Sequence, residues 1–314
     1  MDVLLVGGSG FVGSAVARRL HAAGVRVTVP TRRRERAKHL LVLPTIDVVE
    51  ADVHDDGTLV RLMRGRDAVI NLVGVLRGGE GLPYGKGFAR AHVDLPGRIA
   101  RAAAATGVRR LVHMSALRAA EDAPSGYLRS KAAGERAVLA AAPGLAVTIF
   151  RPSVIFGSGD SFLTLFAGLL KLAPLVPLAC PDARFQPVWV EDVAAAFAAA
   201  LRHPESSGHA FDLGGPRQYS LRELVDYAGR VSGHRRPILG LPLPLSRFQA
   251  LVMEWVPGGP MTRDNVRSMQ VPSVCPEGTA FPFGIAPAAL EAVAPGYLGP
   301  PGAGFDAFRT RARR

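Results

Sequence analysis

Residues 6–20, VGGSGFVGSAVARRL, set glycines at Gly7, Gly10 and Gly13 between an apolar run, residues 3–6, and a stretch of helical periodicity. Val12, Val16, Ala17 and Leu20 fall on one side of that stretch, Gly24 stops it, and residues 25–29 read as a second strand. A strand-to-helix turn needs glycine where the backbone is tight, where it approaches a pyrophosphate and where helix packs on sheet. The helix start, opening with Phe11 and Val12, offers unpaired N–H groups and the positive end of its dipole to phosphates. The strand, glycines, helix and strand in succession therefore predict a dinucleotide site.

Working outward, the alternation continues through strands at residues 47–50, 68–72, 110–113 and 146–150 and a helix at 95–105. Strands separated by helices predict an α/β fold: a Rossmann-type doubly wound parallel sheet covered on both faces. Residues 1–151 are assigned to this core. Beyond Arg151, Pro and Gly become frequent; strands at 186–190 and 210–213 alternate with helices at 192–201 and 221–231. Residues 152–298 are assigned mainly to a smaller C-terminal lobe with some return to the core, and 299–314 to a basic tail. PGYLGPPGAG, residues 295–304, reads as poorly ordered.

TRRRER, residues 31–36, follows the second strand, where an NAD-selective site would carry a carboxylate for the ribose hydroxyls. Arg32 and Arg33 instead suit a 2′-phosphate, so NADP(H) is preferred and NAD(H) is the alternative. A solvated basic turn is the competing reading. In ADVHDD, Asp52, followed by Val53, is placed to accept from the adenine amino group or to cap a helix.

HMSALRAAEDAPSGYLRSKAAGE, residues 113–135, sets Tyr127 and Lys131 four apart on one helical face, with Ser115 at the end of the preceding strand. A phenol has a reference pKa of about 10, and a neighbouring ammonium favours its phenolate. Ser115 would hold a substrate oxygen while Tyr127 donates the proton that accompanies hydride transfer.

These residues together resemble the short-chain dehydrogenase/reductase superfamily in its extended or atypical branch. YLRSKAAGE (127–135), RPSVIFGSGDSF (151–162), FQPVWVEDVA (185–194), FDLGGPRQYS (211–220), LPLPLSRF (241–248) and PMTRDNV (260–266) are similar to the family of the NADPH-carrying accessory subunit of respiratory complex I and its bacterial relatives. The resemblance runs from Val3 to about Leu298. It implies that Gly7, Gly10 and Gly13 hold the pyrophosphate, that Arg32 and Arg33 meet the 2′-phosphate and that Asp52 faces adenine. It further implies that Asn71, Leu72, Val73 and Gly74 pass beneath the cofactor, that Ser115, Tyr127 and Lys131 form a reductase triad, and that Pro152 lines the nicotinamide. One position departs: in AHVDLPG, His92 stands where an Asn commonly completes the active tetrad. Two fates follow from the resemblance. One is an NADP(H)-dependent oxidoreductase acting on an apolar carbonyl or a quinone; the other is a non-catalytic accessory or assembly protein of a respiratory complex or of quinone metabolism. Epimerase or dehydratase chemistry on a nucleotide sugar ranks third, since no nucleotide-sugar signature is evident.

Composition bounds the rest. Of 314 residues, 48% are hydrophobic and 20% charged, which supports a sizeable core. The net charge of +12 gathers at residues 32–38 and at Arg309, Arg311, Arg313 and Arg314. No basic helix interleaved with base-stacking aromatics appears, so nucleic acid is not expected as a partner. Cys180 and Cys275 stand far apart, and the scattered histidines lack ligand spacing; free thiols and no metal site are expected. No leader pattern opens the chain, and the apolar run from Phe162 contains Lys171, Pro174 and Pro177, so a cytoplasmic location is expected, peripheral at the inner face of a membrane as a variant. Phe162, Leu165, Phe166, Leu169 and Leu170 read as a packed stripe. Phe248, Leu251, Val252 and Trp255 form a second stripe beside Arg247, for which membrane contact competes with packing. Glu191 and Asp192 read as helix-start residues, and Thr262 as a helix cap with Asp264 in its first turn.

Overall fold

The computed structural model describes residues 1–141, 144–256 and 259–299. The chain begins with β1 (Asp2–Val6), α1 (Phe11–Ala22), β2 (Arg26–Thr31), β3 (Ile46–Glu50), α2 (Asp56–Met63) and β4 (Ala68–Asn71). A helical turn, α3 (Lys86–Phe88), then runs through a π-helical segment (Ala89–Asp94) into α4 (Leu95–Thr106), followed by β5 (Arg110–Met114), α5 (Gly126–Ala141) and β6 (Ala146–Pro152). Next come β7 (Ile155–Phe156), α6 (Leu163–Leu172), β8 (Val176–Ala179), β9 (Arg184–Phe185), β10 (Val188–Trp189), α7 (Val190–Ala200) and β11 (Ala210–Leu213). The remainder supplies β12 (Tyr219–Ser220), α8 (Leu221–Val231), β13 (Ile238–Leu241), α9 (Leu243–Glu254), α10 (Arg263–Ser268), α11 (Leu290–Val293) and α12 (Pro295–Leu298). Two compact units result: Met1–Pro152 with Glu191–Leu213 and Gly278–Ile285, and Ser153–Val190 with Gly214–Glu277 and the residues from Ala286 onward.

The first unit holds one seven-stranded sheet in the order β3, β2, β1, β4, β5, β6, β11, and every pair in it is parallel. The chain starts mid-sheet, winds outward through β3, then returns to β4 on the other side of β1. That reversal opens a crevice at the C-terminal ends of β1 and β4, the usual ligand position in such sheets. Val3, Leu4, Leu5 and Val6 are buried in succession because helices cover both faces, which removes the polar alternation of a one-sided strand. On one face, Leu95, Ile99 and Ala103 of α4 pack with Leu59 and Met63 of α2 over Leu4, Val69 and Leu111. Each buried leucine of this kind contributes about 2 kcal/mol. Gly107, at φ 77°, ends α4 in the left-handed conformation that glycine adopts without strain.

In the second unit, α6 and α8 pack over the short ribbon of β8 and β13. Three sequence expectations are corrected there or nearby. Residues 186–190 are not one strand: Pro187 supplies no N–H, so β9 and β10 pair with different partners, β12 and β7, and Val190 already opens α7. The buried side of α6 is Leu163 and Leu170 with Phe166 and Ala167 beside them, while Leu165 is exposed. Of the stretch expected to be disordered, residues 295–298 form α12, held by buried Leu298 and by Tyr297, whose hydroxyl donates to Asp160 Oδ2 at 2.8 Å. Residues 300–304 and the C-terminal arginines lie outside the described residues. Thr262 caps α10, its hydroxyl accepting from Asn265 N–H, and Glu191 at the start of α7 pairs with Arg18 at 2.8 Å. Among the described residues no helix is long and apolar enough to cross a membrane.

Candidate functional site

Two glycines of the turn have a steric reason. Gly7 has φ +87°, a left-handed conformation, and a Cβ there would lie 3.2 Å from the Leu72 carbonyl carbon. A Cβ on Gly13 would sit 2.2 Å from Gly7 O and 2.6 Å from Gly8 Cα, so α1 starts against the turn only because that side chain is missing. Gly10 caps α1 in extended conformation, and its missing Cβ meets only Gly7 O at 3.3 Å. The surface at Gly10 lies beside the backbone N–H groups of Phe11 and Val12 at the start of α1, the end of a helix that suits a phosphate.

A crevice of about 550 Å³ opens beside this turn, lined by Val6 at the end of β1, Gly7 and Ser9 from the turn, Pro30 and Thr31 at the end of β2, and Arg32, Arg33 and Arg36 beyond it. Ala51, Val53 and His54 line it from the end of β3, Val73 and Val75 from beyond β4, and Gly87, Arg90, Ala91 and Leu95 from the helical run at 86–106. Four guanidinium groups and no carboxylate line it, and Arg32, Arg33 and Arg36 are exposed. Burial holds the His54 imidazole below its usual pKa, and the positive charge of Arg90, then of Arg32 and Arg98, adds to the effect against Asp52. Arg90 and Arg32 thus act on one imidazole from two different elements. The residues present fit a phosphorylated dinucleotide.

Asp52 is not among the lining residues. Its Oδ1 accepts from His54 N–H at 2.9 Å, and the capping role left open for it belongs to Asp55, which accepts from Thr58 N–H at 2.7 Å. Asn71 is buried; its Oδ1 accepts from Val73 N–H at 3.2 Å and its Nδ2 donates to His113 Nδ1 at 3.1 Å. Asn71 therefore shapes residues 71–74, with Leu72 buried behind Gly7 and Val73 facing the crevice. A Cβ on Gly74 would stand 3.3 Å from Lys131 Nζ, so this stretch leads from the crevice to the lysine.

Lys131 is buried on α5 and donates to the carbonyl of Met114, the residue before Ser115, at 3.1 Å. Burial pushes its ammonium down to about 8, opposed by the Glu135 carboxylate, which is itself engaged by Arg151 at 2.8 Å. One turn earlier on the same face, Tyr127 meets the His92 ring edge-on at 5.5 Å, and burial raises its phenol to about 12. Ser115 Oγ is buried without a hydrogen-bond partner among the described residues, a cost tolerated where a hydroxyl is kept for a ligand oxygen. Pro152 ends β6, buried, with its carbonyl accepting from Leu117 N–H at 3.0 Å.

His92 is locked. Its Nε2 accepts from Val75 N–H at 2.9 Å, so the neutral ring carries its proton on Nδ1, which donates to Ser130 Oγ at 2.8 Å; that hydroxyl donates to Tyr127 O at 2.7 Å. Burial and then the Lys131 charge push its pKa down to about 2. A ring held neutral with both nitrogens engaged positions α5 and residues 74–75 rather than passing protons. Of the lining residues, Arg36 belongs to the basic cluster visible in the sequence; His54 and Arg90 carry no motif, and only their places, two after Asp52 and two before His92, could have drawn attention.

The family model described as "NAD dependent epimerase/dehydratase family" matches residues 3–214. Among curated proteins the chain is 33% identical to "NADH dehydrogenase (ubiquinone) 1 alpha subcomplex subunit 9, mitochondrial" of Mus musculus, over 91% of this chain and 76% of that protein. It is 32% identical to "Ceramide reductase" of Caulobacter vibrioides, over 90% of each. Among solved structures, a nucleoside-diphosphate-sugar epimerase from Staphylococcus aureus superposes with a TM-score of 0.74 at 16% identity, covering 93% of this chain and 98% of that one; at that identity the likeness speaks for fold alone. With the glycine turn, the parallel sheet reversing beside β1 and a family match over both, the chain belongs to the NAD dependent epimerase/dehydratase family.

Proposed function

We propose that the protein is an NADP(H)-dependent oxidoreductase of the atypical short-chain type, acting on an apolar carbonyl or quinone-like substrate. The observation that carries this reading is that Val73 lines the arginine-rich crevice while its neighbour Gly74 stands against buried Lys131, whose ammonium binds the carbonyl of Met114, the residue before Ser115 with its unpartnered hydroxyl. Gly7, Gly10, Phe11, Val12 and Gly13 would hold the pyrophosphate and Arg32 and Arg33 the 2′-phosphate, with Arg36, His54 and Arg90 adding positive charge around them. When bound, NADPH supplies the hydride. Ser115 Oγ donates to the substrate oxygen and fixes it. Tyr127, a phenol protonated at neutral pH and held more firmly so by burial, donates the proton that oxygen takes up, and the Lys131 ammonium stabilises the phenolate left behind. Similarity to a ceramide reductase supports a substrate with long apolar parts.

One observation favours a second reading. The similarity to a mitochondrial NADH dehydrogenase subunit supports an accessory role in a respiratory or quinone-linked complex at the inner face of a membrane, with the nucleotide retained as part of the fold.

Cofactor exchange separates the two. The protein is purified without added nucleotide, denatured to identify what it releases, and the native protein is timed for exchange with added NADPH. Exchange within seconds, with NADPH-dependent reduction of quinones or apolar ketones that Tyr127→Phe abolishes at unchanged cofactor affinity, supports the oxidoreductase. Retention over hours supports the accessory role, and undiminished reduction by Tyr127→Phe removes the triad assignment.

A further inference from the structure

The helix α9 of the second unit is amphipathic in the inverse sense. Its buried residues are Ser246 and Ala250, one turn apart, while Leu243, Leu245, Phe248, Leu251 and Val252 point outward with Trp255 and Val256 just beyond. The small inner residues let its backbone lie close on the β8–β13 ribbon. There Ser246 Oγ accepts from Cys180 N–H at 3.2 Å and Gln249 Nε2 donates to Pro177 O at 2.9 Å. The large apolar side chains consequently stay largely in water: Phe248 is 63% exposed and Trp255 84%. At the far end of β8, Leu172 and Leu175 are also exposed, and Leu239 faces out from β13. Soluble monomers rarely leave this many large apolar side chains uncovered on one helix and the ribbon beside it unless they meet a partner.

The charges identify the partner. Lys171, Arg236 and Arg247 are exposed around this surface with no ion pair among the described residues, whereas Glu254, the only carboxylate of α9, is held by Arg263 at 2.9 Å. On the helix Arg247 falls between Leu243 and Leu251, one turn from each, so it borders the apolar row. The core of a protein interface is depleted of charge, and burying that guanidinium there would need a matched carboxylate. At a bilayer surface the same side chain reaches the headgroup phosphates while its neighbours enter the acyl boundary, and tryptophan takes up the level between them.

We propose that the outward face of α9, with Leu172 and Leu175, docks the second unit on an anionic lipid bilayer. The surface is independent of whether the protein turns over a substrate.

The test is flotation of the full chain with vesicles of phosphatidylcholine alone and of phosphatidylcholine with phosphatidylglycerol, alongside quenching of tryptophan fluorescence by brominated acyl chains. The chain binds the anionic vesicles, and quenching is lost in Trp255→Phe, which leaves only the signal of Trp189. Phe248→Ser with Trp255→Ser, both at exposed positions and therefore checked for an unchanged melting temperature, weakens binding on the order of tenfold or more. Lys171→Gln with Arg247→Gln removes the preference for anionic over neutral vesicles. Absence of flotation on anionic vesicles, equal flotation of the Phe248/Trp255 variant, or apolar-face burial in a dimer or other protein complex without vesicle binding each overturns the proposal.

Discussion

His92 Nδ1 lies 2.8 Å from Ser130 Oγ, and both residues are buried beneath the start of α5. With His113, likewise buried and held down to about 3 first by burial and then by the Lys131 charge, this makes two imidazoles that stay neutral when folded and protonate when unfolded. Each folded pKa lies below the unfolded 6.5, so the unfolded chain binds more protons between pH 6.5 and about 3 and stability falls as pH falls through that window. Urea titrations between pH 8 and pH 5 are expected to show it, with a slope approaching about 2.7 kcal/mol per pH unit where both histidines titrate. His113→Gln should remove about half of that slope. A profile flat from pH 7 to pH 5 would contradict the assignment.

Lys131 carries the opposite tension between stability and chemistry. Its ammonium is lowered from 10.5 to about 8, so below pH 8 the folded chain bears the full cost of a buried charge, about 3 kcal/mol, and that cost fades as pH rises from 8 to 10.5. Lys131→Met is expected to melt no lower than the parent at pH 7, and higher by on the order of 1 kcal/mol, with the advantage shrinking by pH 10. The same variant should lose NADPH-dependent reduction. Loss of stability at pH 7 would show that the bond to Met114 O outweighs desolvation.

The arginines divide between two elements. Arg32→Ala with Arg33→Ala should weaken NADPH binding by roughly ten- to a hundredfold, as expected for charge-assisted hydrogen bonds, and NADH far less. Arg90→Ala should also favour NADH relative to NADPH, by a smaller factor, because Arg90 reaches the crevice from the helical run at 86–106. Calorimetric titration with both nucleotides decides this; equal losses for the two would place these side chains elsewhere than at the 2′-phosphate.

The glycines predict a contrast. Gly13→Ala puts a methyl 2.2 Å from Gly7 O and should cost about 2–3 kcal/mol of stability through overpacking. Gly10→Ala meets only Gly7 O at 3.3 Å and should fold nearly as the parent does, yet bind nucleotide on the order of tenfold more weakly because its methyl stands in the phosphate approach. Thermal melts with and without NADP distinguish the two.

The parallel sheet was legible because strand and helix periodicities alternate cleanly from β1 to β6, and the glycine turn because Gly7 and Gly13 are fixed by backbone sterics while Gly10 keeps the spacing between them. What local pattern could not show was convergence. His54 and Arg90 stand far apart in sequence and meet only because β3 ends, and the helical run at 86–106 begins, on the C-terminal side of the sheet. Asp52, expected near adenine from its place after β3, accepts through Oδ1 from the backbone N–H two residues on and is not among the residues lining the crevice. The break at Pro187 and the rotated face of α6 escaped for a related reason: which side of a short apolar segment is buried depends on the neighbour it meets.

The π-helical turn between Phe88 and Leu95 acts as a phase shifter. A π turn takes in one residue more than an α turn, which rotates all that follows by roughly 100°. Arg90 and Ala91 face the crevice, His92 next in line faces α5, and Leu95 onward resumes the core register. A one-residue deletion within 89–94 would swing the two halves out of step, leaving either the hydrophobic seam of α4 or the Arg90 and His92 pair correctly aimed, but not both. Helix 86–106 is thus a gear with a deliberate tooth offset, meshing with a nucleotide cleft at one end and a hydrophobic seam at the other.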